Sequence, residues 1–262
     1  MMYRVTVGLF LATFFLIVML LGWLVLTASG LSAVLTLTQK YVPELAVKKA
    51  SGRLVDGAVF EQIDYQLDEH RRISINNLTL SWQAAQLITG RFTVNELVID
   101  DVLITQQGDV PGASAATGLP SISSPLPVSV KNIRVNTVTA HSQGQDVVEL
   151  ISDVKATLNL WGDTLTINNL SIESTDKARL KLNGSIQLSD DYSTALAYEW
   201  VVIDPKLKGL AGQGNIKGNT TKLRVEQQVV KPVRSTNILT ISDLLDKMNW
   251  HLDAQVAQID LA

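Results

Sequence analysis

The chain of 262 residues contains no cysteine. Disulfide scaffolds, cysteine zinc sites and thiol catalysis are therefore excluded. Charge is also scarce: only 18% of residues are Asp, Glu, Lys or Arg, below the roughly 25% of an average soluble chain. The balance is slightly acidic, with 25 acids against 22 Lys and Arg, which argues against a basic nucleic-acid surface. Catalytic signatures are missing as well. His70, His141 and His251 form no HExxH motif and read as solvated strand or loop residues. There is no GxxxxGK[ST] loop, no GxSxG elbow and no GxGxxG spacing. The pairs Asp100-Asp101 and Asp190-Asp191 are adjacent, so in a strand they would face opposite ways. They read as turn markers rather than acid/base partners. The expectation is a non-enzyme with no catalytic residue, no metal and no cofactor.

What the chain has instead is hydrocarbon, at 46% of residues. Residues 5–26 carry no charge. As a helix rising about 1.5 Å per residue, they would span about 33 Å, enough for a hydrocarbon core of roughly 30 Å. Val5, Leu9, Leu16, Leu20, Trp23 and Leu26 are the expected anchor residues. A cleaved signal peptide is the alternative, with Ala28-Ser29-Gly30 resembling a cleavage site. Its apolar region would run only about 7–15 residues, so an uncleaved anchor fits better. Arg4 precedes the segment and the next basic residue is Lys40, which favours a cytoplasmic N-terminus and export of the rest. Leu31, Val34, Leu35, Thr38 and Val42 then recur at helical spacing up to Pro43.

The remainder reads as strands. Alternation is clear at Ile63, Tyr65 and Leu67, at Val154, Ala156, Leu158 and Leu160, at Leu180, Leu182, Ile186 and Leu188, and at Leu196, Tyr198, Trp200 and Val202. Asn183-Gly184, Asp190-Asp191, Asp204-Pro205 and residues 212–218 read as turn signals. A short helix is expected at 242–249, capped by Ser242. Four windows share a further pattern, in which two alternating apolar residues meet a polar pair and then two more in the opposite phase. They are Ile73, Ile75, Leu78 and Leu80 around Asn76-Asn77; Phe92, Val94, Leu97 and Ile99 around Asn95-Glu96; Val128, Val130, Ile133 and Val135 around Lys131-Asn132; and Leu165, Ile167, Leu170 and Ile172 around Asn168-Asn169. Ala254, Val256, Ile259 and Leu261 give a weaker fifth.

In a strict strand such a phase change would turn the second pair to the other face. A bulge, for which Asn is suited by its tolerance of left-handed backbone, restores the same face. The window starts lie 19, 36 and 37 residues apart, a weak repeat of about 18 that suggests stacked strand units. These sixteen residues are the candidates for one apolar face kept through repeated bends. Residues 105–127 hold four of the seven prolines and read as a flexible Pro/Gly/Ser loop.

An ordered run of short motifs carries a resemblance. Thr27-Ala28-Ser29-Gly30-Leu31 follows the anchor, then Tyr41-Val42-Pro43-Glu44-Leu45, Ser51-Gly52-Arg53-Leu54, Asn76-Asn77-Leu78 and Pro125-Leu126-Pro127-Val128. Val130-Lys131-Asn132-Ile133-Arg134-Val135 completes it. The chain resembles the N-terminal portion of the TamB family, the inner-membrane subunits of translocation and assembly modules within the broad AsmA-like, bridge-like lipid-transfer group. The resemblance covers most of the chain and is strongest up to Val138.

It implies a mostly β protein with few short helices: an N-terminal transmembrane helix followed by a long curled β-sheet groove, taco-like, apolar inside and polar outside. The organisation expected is a cytoplasmic tail (1–4), a transmembrane helix (5–27) and an amphipathic extension (28–43). The first part of the groove (44–104), the loop (105–127) and the continued groove (128–262) follow, truncated within a strand. Implied partners are phospholipid acyl chains, the inner membrane and, through a C-terminal region absent here, a TamA-like outer-membrane barrel; nucleic acid is not among them. The implied place is the inner membrane, single-pass, with the bulk periplasmic. The implied role is phospholipid transport between membranes and assembly of outer-membrane proteins such as autotransporters. The contrasting expectation is an anchored β-sandwich, a binding or scaffold module whose apolar face packs on itself.

Overall fold

The computed structural model describes residues 27–256, apart from 54, 69, 108–118, 120, 143–145, 175–177, 205–208, 232–233 and 246. The expected transmembrane segment, except Thr27, lies outside the described residues. Among those described, no helix is long and apolar enough to cross a membrane.

A helix, α1 (Ala28–Tyr41), opens the described chain. Thr27 caps it by accepting a hydrogen bond from the Gly30 N–H at 3.1 Å. Ser32, Thr36 and Thr38 donate back to the carbonyls of Ala28, Ser32 and Val34, so their hydroxyls are satisfied within the helix. Leu31 is buried and Leu35 packs beside it, as the helical spacing requires.

Fourteen strands follow: β1 (Leu45–Arg53), β2 (Gly57–Gln66), β3 (Arg71–Trp82), β4 (Phe92–Gln106), β5 (Ser124–Ser142), β6 (Val148–Ile151), β7 (Asp153–Gly162), β8 (Thr164–Ser174), β9 (Ala178–Gln187), β10 (Thr194–Val202), β11 (Ala211–Gly218), β12 (Lys222–Lys231), β13 (Ser235–Ser242) and β14 (Asn249–Val256). A 3-10 turn (Ala84–Thr89) joins β3 to β4. All belong to one open sheet in chain order, with β6 set aside against β5. A two-sheet sandwich is therefore not what forms. With neighbours about 4.8 Å apart, the twelve steps from β1 to β14 run about 58 Å.

Among the described residues every pairing is antiparallel except β4 with β5. That parallel pair is in register at an offset of 36, from Phe92 opposite Val128 to Gln106 opposite Ser142. The second and third sequence windows thus lie side by side. Strands also reach further into 105–127 than a loop assignment allows: Thr105 and Gln106 end β4, and β5 begins at Ser124. Residues 108–118 and 120 of that stretch lie outside the described residues. Pro125 and Pro127 precede the first residue of β5 that pairs with β4, so their missing N–H groups break no bond to β4.

Three turn readings are corrected. Asn183-Gly184 lies inside β9, residues 212–218 lie inside β11, and Asp100-Asp101 lies inside β4. In β9 and β11 glycine serves close approach rather than reversal, since a Cβ on Gly184 would stand 2.1 Å from the Ala195 carbonyl oxygen. Among the described residues the short helix expected at 242–249 does not form: Ser242 ends β13 and Asn249 starts β14. The N–H groups of Asp243 and Leu244 go to the carbonyls of Thr221 and Thr220 in the neighbouring turn, not to a helical ladder.

Candidate functional site

Residues directly opposite one another in a sheet share a face. Following the pairs therefore traces rows across the molecule. One row runs Ala50, Phe60, Leu78, Ile99, Val135, Val154, Ile172, Leu180 and Trp200. A second joins Trp82 to Val94, then Val130, Leu158 and Ile167. Phe92, Val128, Leu160, Leu165 and Ile186 form a third. A fourth holds Ala58, Leu80, Leu97 and Ile133, and Leu170 opposes Leu182 further on. Tyr65, Ile73 and Ile104, with Ile63, Ile75 and Val102, complete the set near β1. The structure places all sixteen window residues in these rows.

The phase changes do not turn them apart. Val47 and Ile63 pack on the same buried cluster (Leu31, Ala58, Phe60) as Ala50 and Leu78, although the two sets differ in strand phase. The cause is a crease at which residues 49 and 61 are skipped between Lys48–Gln62 and Ala50–Phe60. Lys49 (φ 46) and Asn77 (φ 50) take left-handed backbone there. In β8 the crease is at Asn168-Asn169, with Asn169 at φ 75 and a register shift between Ile167 and Leu170. The Asn183 side chain holds it by accepting from the Asn169 N–H at 2.6 Å. The polar pairs of β4 and β5 meet across their 36-residue offset: Lys131 donates to Asn95 at 3.3 Å, Asn132 to Glu96 at 3.4 Å and Asn136 to Asp100 at 3.2 Å.

Replacing Asn77 or Asn169 with Val should each cost about 1–2 kcal/mol, because a β-branched residue resists φ above zero. Urea unfolding of the single variants measures it, and Gly at the same sites should cost less.

The two faces differ in chemistry. No charged residue occupies the apolar rows, whereas the opposite face carries Lys48, Asp64, Asp101, Arg134, Lys155, Lys181 and Glu199. Exposure follows the same division. In β12, Leu223, Val225, Gln227 and Val229 are half-buried, while Lys222, Arg224, Glu226 and Gln228 are exposed. Among the described residues no side chain is completely buried. Helix α1 covers the apolar rows only near β1 and β2, and the Gln39 amide donates to the Val47 carbonyl of the edge strand. Shallow clefts of about 400–590 Å³ lie between β8 and β14, one of them, of about 500 Å³, bordered by Lys181, Glu199, Gln213 and Gln228. No cluster of three metal-ligating side chains occurs among the described residues.

On the polar face, Asp64 accepts from Ser74 Oγ at 2.6 Å and Gln62 Nε2 at 3.0 Å, with Lys48 Nζ at 3.4 Å. Partial burial raises its pKa, but the hydrogen bonds from Ser74, Gln62 and Lys48, with the Lys48 charge, outweigh this and hold the carboxyl below its ordinary value. A depressed native pKa contributes stability that is complete above the unfolded value, about 3.9, and is lost as pH falls through the native one. Stability should therefore decline below about pH 4, and Ser74→Ala should move the Asp64 titration back towards the ordinary carboxylate in NMR.

The sequence windows omitted part of this surface. Phe60, Ile63, Leu158, Leu182, Leu196, Ile216, Val225 and Leu239 lie in the same rows. Plain alternation is their only signal. The expected anchor residues Val5, Leu9, Leu16, Leu20, Trp23 and Leu26, and Ile259 and Leu261, lie outside the described residues.

Searches among curated proteins and among solved structures find no match. The family model described as TamB, N-terminal domain, matches residues 17–175 and 113–261. Together these matches span nearly the whole chain, and the chain belongs to the TamB N-terminal domain family.

Proposed function

We propose that the chain is an inner-membrane-anchored periplasmic protein whose sheet curls about its apolar face and carries phospholipid acyl chains along it. The observation that carries this reading is the persistence of one apolar face through fourteen strands and their creases, with Arg71 at the start of β3 as the charged residue on it among the described strands. Each buried CH₂ of a lipid tail contributes about 0.8 kcal/mol, while its head group stays in water beyond the strand ends. The lower exposure of the apolar side supports a curl in that direction. Transfer of this kind needs no bond-making step, no cofactor and no metal.

Family membership ties the chain to the translocation and assembly module and so to outer-membrane biogenesis. The finer parts of the proposal are transport of phospholipid between inner and outer membranes, a TamA-like barrel as partner, and a single-pass anchor at 5–27 with a cytoplasmic N-terminus. Mass spectrometry of lipid released from the purified full chain tests the reading. About one or more phospholipids per chain is the expected result, and a lipid-free chain would overturn it.

One observation favours a second role in outer-membrane protein assembly. Strand β14 is exposed at all eight residues, and an exposed strand is a template for strand addition. A deletion strain that exports autotransporters normally while mis-distributing lipid would exclude it.

A further inference from the structure

Within the apolar face, one row changes character at β10. Upstream it is hydrocarbon, as at Leu80, Leu97 and Ile133. From β10 onwards Tyr198 opposes Gly214, Gly214 opposes Gln227, and Gln227 opposes Asn237. The flanking rows stay apolar, with Leu196, Ile216 and Val225 on one side and Trp200 and Val229 on the other. Glycine lets the tyrosine lie down: a Cβ on Gly214 would stand 2.6 Å from the Tyr198 hydroxyl. That hydroxyl therefore sits over Gly214, one strand from Gln227. Burial pushes the phenol pKa up, so the hydroxyl remains a donor.

No hydrogen bond within the described residues engages the Tyr198 hydroxyl or the Gln227 side-chain amide, and the Asn237 amide has only a 3.4 Å contact to Ser235 Oγ. These groups keep contact with solvent, and an acyl chain lying over the face would strip that water at a cost unless the lipid supplies a polar partner. The groups are uncharged, and no charged residue shares their face on β10–β13.

The geometry points to a binding site at Tyr198, Gln227 and Asn237 for the uncharged polar region of an amphiphile, namely the ester-linked glycerol segment of a diacyl lipid. Tyrosine hydroxyl and amide N–H groups donate to ester carbonyls, and the amide oxygens accept from a hydroxyl. With no cation on that face, the phosphate is not what the site recognises. The inference rests on the lipid-carrying reading above.

The test offers the full chain vesicles containing equal amounts of diester and diether phosphatidylethanolamine and phosphatidylglycerol, and weighs the bound lipid by mass spectrometry. The diether lacks the carbonyls but keeps the tails and head group. The wild-type chain should prefer the diester about tenfold. The double variant Tyr198→Phe, Gln227→Leu should lose the preference, whereas Gln228→Leu on the opposite face should keep it. Far-UV circular dichroism confirms that each variant is folded. Loading without preference in the wild type, or unchanged preference in the double variant, overturns the site and leaves the groove standing. A wild-type chain that loads neither lipid overturns both.

Discussion

Leu97→Asp is expected to empty the apolar face while leaving the sheet folded. Leu97 stands between Leu80 and Ile133, half-buried, in a row without charge. A carboxylate there has no cationic partner on its own face and would have to lose its water whenever an acyl chain lay against it. Bound phospholipid should fall about tenfold, since even a fraction of that desolvation cost exceeds the roughly 0.8 kcal/mol contributed by one CH₂. Thr79→Asp, one residue from Leu78 and on the other face, should change it less than about twofold, because a surface charge away from the lipid has little to act on. Equal losses in both variants would mean that the two faces do not differ in the way described.

The largest stability loss is expected from Gly184→Val. Gly184 has φ +139, and an added Cβ would lie 2.1 Å from the Ala195 carbonyl oxygen and 2.8 Å from the Leu196 Cα. Both neighbours are backbone of β10, so neither can step aside without breaking the β9–β10 ladder. The cost should exceed about 3 kcal/mol, combining strained φ with overpacking. Gly162→Ala is the comparison: its φ is +57, yet nothing lies within 4 Å. That change should cost about 1 kcal/mol, the backbone part alone. Urea titration of the two variants separates close approach from dihedral strain.

The creases were legible in the sequence because Asn in a polar pair, flanked by apolar residues of opposite phase, has one economical explanation in a β-rich chain. That reasoning placed the sixteen window residues in common rows. The 36-residue spacing was legible too, but not its meaning: it marks β4 and β5 lying parallel and in register, a pairing that joins residues distant in sequence. Glycine misled the reading. Asn183-Gly184 and residues 212–218 carry the composition of turns, and only the proximity of β10, with Tyr198 and Trp200 laid over Gly214 and Gly212, explains their place in strands. The polar interruption at Gln227 and Asn237 was hidden for the same reason. Its position depends on which residues oppose Tyr198 through Gly214, not on anything nearby in sequence.

The most direct test of the account uses a photoreactive residue placed singly at Ile75, Leu97 or Ile133 on the apolar face, or at Thr79 on the opposite one, in cells. Because the chain has no cysteine, the same positions can also be labelled chemically without background from native thiols. The account predicts phospholipid adducts from the three apolar positions, on both sides of the crease, and none from Thr79. Adducts from Thr79 alone, or protein and no lipid from all four, would contradict it.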